Sequence, residues 1–127
     1  MTPHGFFHWN ELATRDVEAA KTFFAETVGW TFDGMEMENG MYWVAMDGDK
    51  PIGGIMGMDG PQFEGVPPHW MSYLSVDDVD ARIAKTTANG GEVIVPAFDV
   101  PYVGRIAMIK DPTGAALGII TPANPPN

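Results

Sequence analysis

Two stretches of the chain are rich in aromatic and apolar residues, and each precedes a segment whose apolar residues recur with helical spacing. The first stretch is FFHWNELAT, residues 6–14, and the second is HWMSYLSV, residues 69–76. Such runs are typical of β-strands. The periodicity that follows them predicts helices over about 15–28 and 77–89.

Both predicted helices carry recognisable signals at their ends. Asp16 and Asp78 stand where a carboxylate can accept orphan backbone N–H groups and suits the helix dipole. Gly29 and the pair Gly90 and Gly91 supply left-handed stops. Turn sequences such as ENG, DGDKP and KDPTG then separate further apolar runs. The predicted strands after the helices are 30–36, 41–47 and 52–58 in the first half, and 92–96, 104–110 and 115–120 in the second.

The chain repeats itself when it is shifted by 62 residues. LATRDVEAA from Leu12 then falls on LSVDDVDAR from Leu74, and WVAM at 43–46 falls on RIAM at 105–108. Several matches in one ungapped register indicate two copies of one supersecondary unit. We therefore predict the order β-α-β-β-β twice within a single domain of 127 residues. Module one covers about 6–58, the linker 59–68 and module two about 69–121.

This order, together with two segments of the sequence, resembles the vicinal oxygen chelate superfamily, also called the glyoxalase, bleomycin-resistance and extradiol-dioxygenase group. LATRDVEAAKTFFAETVGW is similar to the first strand, helix and turn of that family. IAMIKDPTGAALGI is similar to its closing hairpin around Asp-Pro-x-Gly. The chain looks closest to the hydroxylase-like bacterial glyoxalase-fold proteins with a Trp-x-Glu-Leu start. The resemblance implies an α+β fold in which two tandem βαβββ modules curl a mixed sheet around a cavity, within a chain or across a homodimer.

In metal-dependent members of that family, His and Glu side chains on the first and fourth strands of each module bind a divalent ion. Carried over by motif, the first-strand positions fall on Trp9 and Met71, and the last-strand position falls on Gly118. The repeat offset then gives Met56 as the fourth position. None of the four offers the oxygen or nitrogen donor that hard and borderline divalent ions need. We therefore expect no metal ion and no other cofactor.

Alternation along the first strand of each module orients the candidate site residues. Residues two apart lie on one face of a strand, so one set of side chains faces the implied cavity and the other set faces the helices. The residues predicted to face inward are Phe7, Trp9, Glu11, His69, Met71 and Tyr73. The cavity would then hold one carboxylate, one phenol and one imidazole in an apolar wall, as ligand pockets do.

Each polar candidate has two interpretations. Glu11 could be held by a structural hydrogen bond from a Trp N–H or from the Tyr73 hydroxyl, or it could accept a proton or anchor a cationic or hydroxylated ligand. His69 follows two prolines and could be an exposed rim residue, or His69 or Tyr73 could assist catalysis; a role of His69 as a metal ligand together with Glu11 is disfavoured. Trp43 and Arg105 pair under the offset and could pack on neighbours or form a rim that binds the ligand. The segment FDVPYVGR, 98–105, is predicted to be a loop that could act as a lid.

The composition of the chain limits the classes of binding partner that we expect. The chain has 17 acidic and 7 basic residues and a formal charge of −10, so it offers no basic stripe for nucleic acid and disfavours anionic membranes. It contains no cysteine, which excludes disulfides and thiolate chemistry. The N-terminus MTPHGFFHWN lacks the features of a signal peptide, and no window approaches a membrane span, so we expect a cytoplasmic protein.

Three functions stay open from the sequence. The first is a metal-free protein of the bleomycin-resistance type that binds a small molecule, for which the acidic balance and aromatic lining fit a cationic, planar ligand. The second is a metal-independent isomerase, epimerase or lyase in which Glu11 accepts a proton. The third, a metal-dependent lyase or dioxygenase, is disfavoured. For the first, the predicted ligand-binding residues are Phe7, Trp9, Trp43, Met56, Met71, Arg105 and Gly118.

Overall fold

The computed structural model describes residues 4–37, 40–100 and 103–123, except for the side chain of Gln62. Its elements in chain order are β1 (Phe6–Thr14), α1 (Val17–Val28), β2 (Thr31–Met37), β3 (Gly40–Asp47), β4 (Lys50–Gly57), a 3-10 helix (Pro61–Phe63), β5 (His69–Ser75), α2 (Val79–Ala88), β6 (Glu92–Val100), β7 (Gly104–Lys110) and β8 (Ala116–Pro122). The predicted α+β class and the repeated β-α-β-β-β order are confirmed.

Both helices begin at the aspartates that the sequence pattern indicates. The Asp16 carboxylate accepts a hydrogen bond from the Ala19 backbone N–H at 3.0 Å, and Asp78 accepts one from Ala81 at 3.2 Å. These bonds satisfy donors that have no partner inside the first turn of a helix. Helix α1 ends at Gly29, whose φ of 79° is the left-handed conformation that glycine adopts without steric cost.

The chain divides into two compact units. The first unit is residues 9–71, and its strand order is β2-β3-β4-β1, with β1 and β4 parallel and the other pairs antiparallel. The second unit joins the residues of 1–8 and 72–127 that the structure describes, and its order is β5-β8-β7-β6, with β5 and β8 parallel. Each unit is therefore the same mixed arrangement of strands, as the internal repeat predicts.

In each unit a helix covers one face of the strands. In the second unit α2 places Val79 in a buried cluster with Val76, Ala107 and Ile119. In the first unit Leu12 pairs with Ile55, and both are almost fully buried. Apolar side chains on alternate strand positions thus form the core, and burial of such side chains contributes roughly 1.5–3 kcal/mol each.

The segment 98–105 differs from its prediction. Strand β6 runs to Val100 and β7 starts at Gly104, with Phe98 paired to Ile106 and Asp99 paired to Arg105. Pro101 and Tyr102 lie outside the described residues. The prediction of a loop is therefore wrong for 98–100 and 104–105, whereas Val103 does lie in a turn. A strand at the edge of its unit tolerates a nearby proline because it pairs only on its other side. None of the helices in the described ranges combines the length and apolar character needed to span a bilayer.

Candidate functional site

Three side chains of the first unit form a connected hydrogen-bonded group. The Trp9 Nε1–H donates to the Tyr42 hydroxyl oxygen at 2.9 Å, and the same hydroxyl is hydrogen-bonded to the Glu11 carboxylate. An indole N–H only donates and an ionised carboxylate only accepts. The hydroxyl therefore accepts from Trp9 and donates to Glu11, which gives the group one direction from indole to phenol to carboxylate.

The strands bring these three residues to one face of the first unit, here called the site face. Trp9 and Glu11 are two residues apart on β1, so they point to the same side. Glu11 pairs with Gly54 on β4, and Gly54 pairs with Val44 on β3. Tyr42 is two residues from Val44 and shares its side. The hairpin of β3 and β4 thus carries the phenol to a carboxylate that lies 31 positions earlier in the chain.

Gly54 makes room for the phenol. The residue is buried, and a Cβ built on it would overlap the Tyr42 hydroxyl and ring. The glycine is required here by the close approach of a neighbour, since any larger residue would displace the ring from Glu11. The pair Gly53 and Gly54 inside a predicted strand is the sequence signal for such an approach, and Tyr42 is not among the predicted site residues.

The environment keeps the Tyr42 hydroxyl protonated. Burial, and after it the nearby Glu11 carboxylate, raise the pKa of Tyr42 far above its ordinary value. The hydrogen bond from Trp9 acts in the opposite direction, because it favours the phenolate, but it does not compensate. Tyr42 therefore remains a donor to Glu11 at every ordinary pH.

In the second unit, Tyr73 and Gly118 come together. They pair across β5 and β8, and a Cβ built on Gly118 would overlap the Tyr73 ring. Tyr73 itself is buried, at 5% exposure. In both units a tyrosine thus covers a glycine of the last strand, but the tyrosine comes from β3 in the first unit and from the first strand in the second.

The strand register corrects the fourth position carried over from the family motif. Glu11 and its partner Gly54 are 43 residues apart, whereas Tyr73 and its partner Gly118 are 45 apart. The second copy is therefore two residues longer between its first and last strands, and the counterpart of Gly118 is Gly54. The assignment of Met56 to that position is wrong. Strand β6 is nine residues long against seven in β2 and pairs through register shifts, which accommodates the insertion.

The corrected positions do not fit a divalent metal. They are Trp9, Gly54, Met71 and Gly118, and none carries a carboxylate or an imidazole. Among the residues that the structure describes, no three His, Asp or Glu side chains come close enough to hold a metal ion. In addition, a longer side chain at Gly54 or Gly118 would collide with a tyrosine ring.

Trp43 and Arg105 lie against the helices. Trp43 neighbours Tyr42 in the strand and so points to the opposite side, where the Lys21 ammonium of α1 lies 3.2 Å from its ring centroid. Arg105 binds both carboxylate oxygens of Asp80 on α2, at 2.8 and 3.1 Å. These are contacts with helices of their own units, and the predicted role of both residues in ligand binding stays a prediction. Neither belongs to the group of Trp9, Tyr42 and Glu11.

The other predicted site residues occupy varied surroundings. His69 Nδ1 lies 2.9 Å from the Pro67 carbonyl, so the hydrogen bond requires the proton on Nδ1. Phe7 is 65% exposed, and Met71 is half-buried on β5. Met56 pairs with Ala13 on the site face of the first unit. Their predicted roles in ligand binding stay predictions.

Comparison with known proteins identifies the family. The model of the Glyoxalase/Bleomycin resistance protein/Dioxygenase superfamily matches residues 6–119. The chain belongs to this superfamily. Within the superfamily, CFP32 of Mycobacterium tuberculosis, which carries the provisional name of a glyoxylase, is 43% identical over 120 residues, 94% of this chain and 45% of CFP32. The anthracycline biosynthesis protein DnrV of Streptomyces peucetius is 32% identical over 124 residues, 87% of this chain and 45% of DnrV. This glyoxalase-superfamily chain thus spans about half the length of these curated relatives.

Solved structures share the glyoxalase-superfamily fold at low sequence identity. The hypothetical protein BH1468 from Bacillus halodurans aligns with a TM-score of 0.74 and 12% identity, over 97% of this chain and 98% of that one. Methylmalonyl-CoA epimerase from Mycobacterium tuberculosis aligns with a TM-score of 0.67 and 16% identity, over 94% of this chain and 89% of that one. At such identities the likeness supports the fold and leaves the activity to the site itself.

Proposed function

We propose that this glyoxalase-superfamily chain binds a small aromatic molecule on the site face of its first unit, without a divalent metal. Glu11 accepts a hydrogen bond from a hydroxyl or ammonium group of the ligand, and Trp9 and Met56 contribute apolar contact. The observation that carries the proposal is the hydrogen bond of Tyr42 to Glu11, itself supported by Trp9. Held in this way, the carboxylate loses little freedom when a ligand binds, which lowers the entropic cost of binding.

The ligand chemistry follows from the charges and the relatives. A carboxylate offers about four acceptor positions, so a donor from Tyr42 is compatible with a further donor from a ligand. The formal charge of −10 favours cationic ligands. Two relatives, of Streptomyces peucetius and of Streptomyces sp. strain C5, are named anthracycline biosynthesis proteins. A planar, hydroxylated aromatic molecule that carries an amine is therefore the ligand class that we propose.

Doxorubicin, an anthracycline with an amino sugar, is a suitable probe. We expect its fluorescence to change on titration with the protein, and the Tm to rise with probe concentration by mass action. Glu11→Gln keeps the shape of the side chain and should weaken binding at least tenfold. Glu36→Gln is the matched control, because it removes the same charge from an exposed position on β2 and should bind like the wild type. Equal affinity in Glu11→Gln, or no binding by the wild type, would refute the proposal.

A second candidate is a metal-independent isomerase, epimerase or lyase. A general base must be held within hydrogen-bond reach of the proton that it takes, and the contact with Tyr42 holds Glu11 in one orientation. In an epimerase reaction Glu11 would take a proton from an activated C–H group, and a proton would return to the same carbon from the opposite face. An isomerase would instead return the proton to a different carbon, and a lyase would release a leaving group from the neighbouring atom. Methylmalonyl-CoA incubated in D₂O with EDTA tests this candidate. Deuterium uptake at the α-carbon that is lost in Glu11→Gln supports it, and no uptake counts against it.

The proposal includes a cytoplasmic location and excludes nucleic acid and membranes as partners. The exclusion of nucleic acid and membranes rests on the charge balance, since a chain with 17 acidic and 7 basic residues repels polyanions. A binding assay with double-stranded DNA and with anionic vesicles at low ionic strength tests this part. Binding to either that weakens with added salt would overturn it.

A further inference from the structure

The two helices hold equivalent places in the two copies but are covered differently. Helix α2 buries Val79 in the core of its unit. Helix α1 carries Val17, Phe23, Phe24 and Val28, and yet none of its twelve residues, all of them described, is buried. A helix with this much apolar surface normally covers it by packing. The apolar surface of α1 is therefore not explained by packing within its own unit.

Four aromatic side chains of the first unit form a connected group beside α1, here called the aromatic patch: Phe23, Phe24, Trp30 and Trp70. Phe24 lies at its centre, stacked on Trp30 with ring centroids 5.1 Å apart. It meets Phe23 edge-on at 5.0 Å and Trp70 edge-on at 5.7 Å. Despite these contacts Phe23 is 58% exposed and Trp70 is 47% exposed.

The equivalent positions of the other copy show which residues the fold carries there when no such patch is formed. Counted from the N-cap aspartates, which are 62 residues apart, Phe23 corresponds to Lys85 and Phe24 to Thr86. By the same shift Trp70 corresponds to His8, an exposed residue. The module therefore folds with polar residues at these positions. Contiguous exposed aromatic residues in their place mark an interaction surface.

We propose that the aromatic patch is the surface through which two copies of this chain associate, patch against patch. A patch that meets itself about a two-fold axis is self-complementary, and this is the commonest symmetry of soluble dimers. The patch contains no charged residue, whereas two chains of charge −10 would repel each other over most of their surfaces. The proposal specifies the surface for the homodimer expected from the sequence, and it is independent of the proposed ligand.

The exposed area of the aromatic patch fits a second copy of this chain as the occupant. An aromatic side chain has about 150–250 Å² of surface. At their exposed fractions, Phe23 and Trp70 therefore each present on the order of 100 Å² to solvent. This area is enough for the apolar centre of a standard interface of about 800 Å² per partner, with a polar rim around it. We therefore expect a reversible dimer.

Sedimentation velocity over a wide range of protein concentration tests the proposal. Phe23→Lys and Trp70→His place in the patch the residue types that the equivalent positions of the other copy carry, and each should weaken dimerisation at least tenfold. Phe98→Lys is the matched control, since Phe98 is 42% exposed on β6, away from the patch in sequence and in the other unit; it should leave the dimer unchanged.

Folding of each variant is checked by circular dichroism, and two separate patch variants keep the test informative if one of them misfolds. Dissociation in the patch variants, with a dimeric wild type and control, supports the proposal. A wild type that is monomeric at every concentration overturns it. A dimer that survives both patch substitutions also overturns it, because association then uses another surface.

Discussion

Tyr42 lies directly over Gly54, and its hydroxyl occupies the space that a Cβ on the glycine would take. Because Gly54 pairs with Glu11 on the neighbouring strand, this one missing side chain brings the phenol to the carboxylate. Tyr73 covers Gly118 in a comparable way in the second unit. A glycine on the last strand thus admits a tyrosine in each copy, at positions where metal-dependent relatives, as the family resemblance implies, carry a ligand side chain.

Gly54→Ala should destabilise the protein. The added methyl group must push the Tyr42 ring away, and overpacking of this kind costs about 1–3 kcal/mol. Urea unfolding measures the loss. The double variant Gly54→Ala with Tyr42→Ala removes the clash, so the effect of the alanine at position 54 should shrink in that background. Equal losses in both backgrounds would show that the tyrosine is not the obstacle.

Tyr42→Phe should lower stability by about 1 kcal/mol, since it removes the acceptor of the Trp9 N–H and a donor to Glu11. Chemical unfolding followed by tryptophan fluorescence provides the measurement. The cycle with Trp9→Phe isolates the bond between the two residues, and we expect a non-zero coupling energy. Strict additivity of the two substitutions would argue against the hydrogen bond.

Alkaline pH should destabilise the protein through ionisation of Tyr42. Its folded pKa lies above the unfolded value, so its contribution to stability is complete below about pH 10 and is lost as the pH rises further. The chain has 3 tyrosines, and in an absorbance titration the contribution of Tyr42 should appear only when the protein unfolds. Tyr42→Phe should lack that late step. Ionisation of every tyrosine at ordinary pH in the folded protein would contradict this account.

Acid pH should destabilise the protein through protonation of Asp77. Arg82 hydrogen-bonds both of its carboxylate oxygens, at 2.9 and 2.8 Å, and lowers the pKa of Asp77 to about 2. Because the folded pKa lies below the unfolded one, the contribution is present above about pH 4 and is lost as the pH falls toward 2. Between these values the Tm of the wild type should fall more steeply than that of Asp77→Asn. Parallel curves would show that the pair does not affect folding.

Metal removal should leave the protein unchanged. Trp9, Gly54, Met71 and Gly118 supply no carboxylate or imidazole, so dialysis against EDTA should not alter the Tm. Added Zn²⁺ or Mn²⁺ should not raise it, since only a bound ion stabilises by mass action. Elemental analysis of the purified protein is the independent measurement. A stoichiometric divalent ion would contradict the proposal of a metal-free site.

The order of elements and the family were predictable from the sequence because their signals are local. Asp16 and Asp78 cap helices through bonds that reach only three residues ahead, and the duplication repeats these signals in both halves. Strand alternation correctly placed Trp9 and Glu11 on one side, since a period of two depends only on the extended backbone.

Tertiary structure alone decided which residues meet. Tyr42 reaches Glu11 because the β3–β4 hairpin and the parallel pair of β1 and β4 bring the two residues together. Local periodicity predicts neither the register of that parallel pair nor the close approach at Gly54. The two-residue insertion that moves the fourth family position from Met56 to Gly54 is likewise absorbed by irregular pairing of β6 and β7. Strand register is set by contacts between distant segments, and the site depends on register.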